Sequence, residues 1–230
     1  GSYLIKLNAL DQIYTSQIDF DFRSASNGTV SAISIADEYE EKMYVATDNG
    51  RFFYSKDFGE TWTKSANVNG GHYLYGSVII PSKLNEEKIY TAGNGYNGVP
   101  VMRSIDGGES FEPFGNGLPN TTVLGMVMNS DESLLFAATT SGPYVCVVGN
   151  KEWHSMIGEA APDVTYWSVE LVNNDNTVRF GTYGRGIWDF EISEFVGLEE
   201  TSISQKDSKL LVYPNPVAEY LTIEWNDRSI

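Results

Sequence analysis

Two short stretches of this chain set a carboxylate between hydroxyls and a glycine. They are SKDFGETW, from Ser55 to Trp62, and SIDGGESF, from Ser104 to Phe111. Both fit S-x-D-x-G-x-[ST]-aromatic. An aspartate so placed could move protons, ligate a metal, or accept hydrogen bonds from a tight turn. The company it keeps favours the turn. Ser55, Thr61, Ser104 and Ser110 are short donors within reach of Asp57 and Asp106. Gly59 and Gly108 permit backbone angles that other residues avoid. Trp62 and Phe111 supply rings to bury. The reading is therefore structural: each aspartate brackets a hairpin.

Other groups with chemical potential are scattered. His72 and His154 are isolated, too few for a zinc site of the usual kind. The NNDN turn at 173–176 lacks the alternating oxygen ligands of a calcium loop. Cys146 sits between Val145 and Val147 and reads as packed rather than reactive. As the lone cysteine it cannot form an intrachain disulfide. No metal or cofactor is expected.

The elements that must position the brackets come from a repeat. MYVAT begins at Met43, IYTAG at Ile89, LLFAAT at Leu134 with Leu135 in register, and VRFGT at Val178; the steps between aligned residues are 46, 46 and 43. A period in the forties built of short strands points to four-stranded propeller blades. Each unit opens on an apolar strand: TVSAISIA, YLYGSVII, TVLGMVMN and TYWSVELV. A small residue recurs inside it, at Ala32, Gly76, Gly125 and Ser168. The second strand carries Ala46, Ala92, Ala138 or Gly181. The bracket falls between the third and fourth strands. In the third unit the bracket has decayed to Cys146, Val148 and Asn150, though Trp153 keeps the aromatic place. The fourth unit ends at GIWDFEI, near Ile192, with neither a bracket nor a fourth strand. At the start, SYLIKLN aligns with a third strand and IYTSQIDF with a fourth.

The bracket motif resembles the Asp-box of BNR-repeat propellers, the group that includes sialidases, sortilin and xyloglucanases. That resemblance implies an all-β propeller whose boxes lie at the periphery, away from the ligand face. The expected object is the C-terminal portion of a larger ring of about seven or eight blades. Residues 1–192 would hold about three whole and two partial blades. Its open edges call for cover, from the missing portion of the propeller or from another chain. Sialidases require three clustered arginines and a Tyr–Glu pair. None of Arg23, Arg51, Arg103, Arg179, Arg185 and Arg228 stands in such a context. Xyloglucanases use two carboxylates across a cleft, and no pair stands out among the 31 acidic residues.

If a ligand binds, the face opposite the boxes is the place. It would carry His72, Tyr73, Tyr75, Tyr96, Asn97, Tyr166, Trp167, Tyr183 and Arg185. Aromatic rings beside amides and hydroxyls suit sugars or extended peptides. The leading expectation is a non-catalytic binding module; the alternative is a glycoside hydrolase with catalytic residues partly outside this chain.

After Ile192 the repeat stops. Residues 193–209 are polar and acidic, as a linker would be. Residues 210–230 hold Tyr213, Pro214, Asn215, Pro216 and Val217, then Leu221 and Ile223 in alternation. This YPNPV…L-x-I pattern resembles the start of the type A sorting domain of the type IX secretion system of Bacteroidota. The resemblance implies a partner in that secretion machinery and a secreted or cell-surface protein. On the residues alone, a terminal β-hairpin remains the other reading.

Composition reads as all-β. Fourteen Tyr, 11 Phe and 5 Trp accompany 22 Gly, and 41% of residues are hydrophobic. A net charge of −16 opposes nucleic acid and anionic membrane. No apolar run reaches the roughly 18 residues of a membrane span. Gly1-Ser2 leads straight into a strand with no signal peptide, as expected of a processed or interior segment.

Overall fold

The computed structural model describes residues 3–8, 13–66, 68, 78–96, 98–158, 161–172, 176–192, 209–213 and 222–226. An N-terminal pair, β1 (Ile5–Asn8) and β2 (Ile13–Gln17), is antiparallel. Then comes a single helical turn, α1 (Phe22–Ser26), which the strand periodicity does not announce. Asp21 caps it by accepting from the Arg23 and Ser24 amides, and Phe22 anchors it in the core.

Three four-stranded meanders follow. The first blade is β3 (Val30–Ala36), β4 (Tyr39–Thr47), β5 (Phe52–Ser55) and β6 (Thr63–Lys64). The second is β7 (Val78–Pro81), β8 (Ile89–Ala92), β9 (Val101–Ser104) and β10 (Glu112–Pro113). The third is β11 (Val123–Met128), β12 (Leu134–Thr139), β13 (Gly142–Val147) and β14 (Glu152–Ser155). Among the described residues the fourth has three strands, β15 (Tyr166–Val172), β16 (Thr177–Thr182) and β17 (Ile187–Glu191). A separate hairpin pairs β18 (Lys209–Tyr213) with β19 (Thr222–Asn226). Among the described residues no ladder joins the fourth blade to β1 or β2, so the sheets form an open arc.

The blades are held by three apolar seams. Tyr44, Ala46 and Phe52 of the first meet Ile89, Met102 and Phe111 of the second. Tyr90, Ala92 and Phe114 of the second meet Met126, Leu135 and Trp153 of the third. Phe136 and Ala138 of the third meet Tyr166, Val178 and Phe180 of the fourth. Strand alternation sends one set of side chains to the preceding blade and the other to the next.

The recurrent small residues have a location. In the second blade Gly76 lies outside the described residues and Val78 stands opposite Ala92; the other three innermost strands each carry a register shift just before the small residue, at Val30/Ala32, Val123/Gly125 and Tyr166/Ser168. Each then pairs with the small residue of the second strand: Ala32 with Ala46, Gly125 with Ala138, Ser168 with Gly181. A Cβ added at Gly125 would already touch Val169 Cγ1 at 3.5 Å in the next blade. Small side chains here let neighbouring inner strands approach; crowding comes from the adjacent blade.

Among the described residues the fourth sheet stops at its third strand. In the other blades a small Ser55, Ser104 or Cys146 lies where the fourth-strand aromatic folds over it, Cys146 pairing directly with Trp153. The register puts Phe190 at this place in the fourth blade, opposite Val178. Its ring stands edge-on to Phe180 at 5.7 Å. Phe190 is partly buried and packs against the seam with the third blade.

Candidate functional site

An antiparallel meander puts the first-to-second and third-to-fourth turns at one end of a blade. The second-to-third turns and the inter-blade loops lie at the other. The brackets occupy the first end. Asp57 accepts from Ser55 Oγ at 2.7 Å, Thr61 N at 2.9 Å and Thr61 Oγ1 at 2.5 Å. Asp106 repeats this with Ser104 Oγ at 2.7 Å, Ser110 N at 2.9 Å and Ser110 Oγ at 2.5 Å. The serine hydroxyls turn back to accept from Gly59 N and Gly108 N. Gly59 and Gly108 have φ of 81° and 93°. Hydrogen bonds from Thr61 and Ser55 hold the Asp57 carboxyl below its ordinary range. Burial pushes Asp106 up, but its bonds from Ser110 and Ser104 outweigh this and leave it lowered too. A carboxylate with its lone pairs so committed is a poor proton carrier. These aspartates close hairpins.

The same end holds clamps between blades that the sequence does not reveal. Glu132, buried at φ 59°, accepts from Ser82 Oγ at 2.6 and 2.8 Å and from Lys83 N at 2.7 Å. It thereby ties the third blade to the second. Lys42, also buried, reaches from the first blade to Glu86 at 2.9 Å. Ser65 Oγ donates to Gly108 O, and Ala66 N donates to Glu109 O, so the second bracket also carries the first blade. Where the third bracket has decayed, Trp153 Nε1 donates across the seam to Phe114 O at 2.7 Å. Trp62 Nε1 instead serves its own turn, at Gly59 O. Each clamp joins residues about 40–50 positions apart, so only knowledge of the blade pairing could have found it.

The opposite end carries the exposed aromatics. Tyr96 is exposed in the second-to-third turn of the second blade, its hydroxyl 3.3 Å from Thr140 Oγ1 of the third. Trp167 and Tyr183 are 54% and 74% exposed, with ring centroids 6.3 Å apart. Arg185 lies in the turn below Tyr183, where its amide bonds Thr182 Oγ1 and its carbonyl holds Trp188 Nε1. Tyr166 requires correction. It is fully buried, edge-on to Phe180, with its hydroxyl tied to Pro162 O at 3.0 Å, so it belongs to the seam and not to a ligand face. The register shift after Tyr166 turns it inward and leaves Trp167 outside. His72, Tyr73, Tyr75 and Asn97 lie outside the described residues. So do Pro214, Asn215, Pro216, Val217 and Leu221, while Tyr213 and Ile223 lie in β18 and β19.

At this end Asp48 is already engaged by Thr29 N at 2.8 Å and Thr29 Oγ1 at 2.5 Å, which keeps its carboxyl low. Arg179 forms a two-point pair with Asp189 on the open side of the fourth blade, both contacts 2.8 Å. Cys146 is fully buried, and burial pushes its thiol up to about 12. No cluster of three or more His, Cys, Asp or Glu able to hold a metal occurs among the described residues. No helix among them is long and apolar enough to cross a membrane.

No protein-family model matches the chain. It is 23% identical over 198 residues to a xyloglucanase of Hypocrea jecorina (strain QM6a), covering 82% of this chain and 23% of that protein. Among solved structures, it matches the extracellular domain of a one-component system from B. thetaiotaomicron with a TM-score of 0.62. That match is 16% identical and covers 86% of this chain and 27% of the other. A GH74 xyloglucanase from Xanthomonas campestris gives a TM-score of 0.60 at 11% identity, covering 78% of this chain and 31% of that one. The fold is a partial β-propeller. The chain spans about a quarter of the length of the curated relative it matches.

Proposed function

We propose that this propeller segment belongs to an exported protein and presents a non-catalytic binding face at the end opposite the brackets. The observation that carries the reading is the exposed pair Trp167 and Tyr183, backed by Arg185 and accompanied at the same end by Tyr96. Two tilted, water-exposed rings on rigid strand ends offer apolar faces to a sugar ring or an extended peptide. At the same end, on the first blade, Asp48 is committed to Thr29. For export, the support is the Tyr213–Ile223 pattern, read as the start of a type IX sorting domain after a polar linker.

A second reading is favoured by the likeness to xyloglucanases: a glycoside hydrolase whose paired carboxylates are completed by other parts of the protein. Incubation with xyloglucan and with other β-glucans separates the two. Retention on the polysaccharide without release of reducing ends fits the binding module. Turnover abolished by replacing a single carboxylate at the end opposite the brackets fits the hydrolase. Export is tested by deleting everything after Lys209 in the producing cell, which should leave the propeller folded but trapped inside the outer membrane.

A further inference from the structure

The two ends of the blades differ in charge. The first-to-second turns of the first three blades each hold two acids: Asp37 and Glu38, Glu86 and Glu87, Asp131 and Glu132. The brackets add Asp57, Glu60, Asp106 and Glu109. From Val30 onward, the described turns and loops at the other end carry only Asp48 and Asp163, balanced by Arg51 and Arg185. Strands such as Leu134–Thr139 and Thr177–Thr182 set the ends about 20 Å apart. Salt screens charge over about 8 Å at physiological strength, so the acids lie more than two screening lengths from the aromatic pair. The net charge of −16 is therefore felt at the bracket end and only weakly at the other.

Arg185 is exposed, and among the described residues no carboxylate pairs with it. Arg103 and Arg179, by contrast, are held by Glu112 and Asp189. The turn that carries Arg185 is nevertheless firmly tied. Thr182 N and Oγ1 donate to Gly186 O, Arg185 N donates to Thr182 Oγ1, and Trp188 Nε1 donates to Arg185 O. Gly184 beside it has φ 77° and open space where a Cβ would stand. A rigid turn thus presents an unpaired guanidinium two residues from Tyr183, at an end poor in acids.

We propose that the Trp167–Tyr183 face takes an acidic polysaccharide of the uronate type. Its sugar rings lie on the two aromatic faces, and a ring carboxylate pairs with the Arg185 guanidinium. The inference rests on the reading of this face as a binding site and names the ligand class. A guanidinium meets a carboxylate at two points, which a neutral glucan cannot offer. An acidic peptide fits less well. The amides of Thr182, Tyr183 and Arg185 are already spent within the protein, so an extended backbone has no ladder to join there. A uronate carries in each unit both things the face can hold, an apolar ring face and a carboxylate.

The test is calorimetric titration of the full-length protein with four probes: polygalacturonate, the same polymer fully methyl-esterified, xyloglucan and polyglutamate. The expected result is binding of polygalacturonate at least about tenfold tighter than of the ester or of xyloglucan. That affinity should fall several-fold between about 50 and about 300 mM salt. Arg185→Gln should weaken it about tenfold, Arg185→Lys less, and Trp167→Ala with Tyr183→Ala should abolish it. The ester removes the charge from the ligand, so the comparison holds even where a variant folds poorly. Equal binding of polygalacturonate, ester and xyloglucan, indifferent to salt and to Arg185→Gln, overturns the acidic class and leaves the binding face standing. Polyglutamate binding that survives loss of both rings overturns it in favour of charge alone. Binding of none of the four overturns both the class and the face.

Discussion

Replacing Asp106 with alanine removes three acceptor contacts at once. Ser110 N and Oγ lie at a partly exposed turn and can turn to water, so each loss costs about 0.5–1 kcal/mol. Ser104 is buried, and its hydroxyl loses the Asp106 carboxylate it donates to, which costs about 1–2 kcal/mol. The total is about 2–4 kcal/mol, a large part of a typical domain's stability. With a urea slope of about 2 kcal/mol/M, the unfolding midpoint should fall by about 1–2 M. Tryptophan fluorescence in urea reads this directly. Asp57→Ala should cost less, because only the second bracket also receives Ser65 and Ala66 from the neighbouring blade. The pH dependence has a fixed sign. The folded-state carboxyl of Asp106 is lowered, so its contribution is complete above the unfolded value of about 4 and fades as pH falls through the lower folded value. The gap between wild type and Asp106→Asn should therefore close in acid. A midpoint unchanged by Asp106→Ala, or a larger loss for Asp57→Ala, would refute the bracing argument.

Phe58 holds φ at 57°, where the second bracket has Gly107 at 71°; Phe58→Gly should raise stability by roughly 0.5–1 kcal/mol, read as a higher midpoint. Glu132→Ala strips the acceptor from buried Ser82 and from Lys83 N, and should cost about 2–3 kcal/mol in the same assay. Cys146 should resist maleimide in the folded protein at neutral pH and react at the rate of unfolding, followed by mass spectrometry.

The blades were legible because strand alternation, the repeat near 46 residues and the bracket motif are local patterns, each written within a few positions of itself. Ser55 to Trp62 contains its own hydrogen-bond partners, so its geometry could be reasoned from eight residues. Glu132 could not: its partner Ser82 lies 50 positions away, and nothing in NSDES marks one acid as buried. Tyr166 misled for a related reason. Adjacent residues on a strand face opposite sides, and the shift between Tyr166 and Ser168 decides which of Tyr166 and Trp167 meets solvent. Bulges leave no sharp mark in composition. The capped turn at Phe22 was hidden by strand-like residues on both sides.

The division of the blades into a bracing end and a binding end is tested most directly by one comparative titration. Binding to xyloglucan and to a panel of glycans and peptides is measured by calorimetry for wild type, Trp167→Ala with Tyr183→Ala, and Asp57→Ala with Asp106→Ala, all corrected to the same folded fraction. The predicted result is loss of binding in the aromatic pair variant and unchanged affinity in the aspartate pair variant. Loss of binding in a fully folded aspartate variant, with the aromatic variant unaffected, would contradict it.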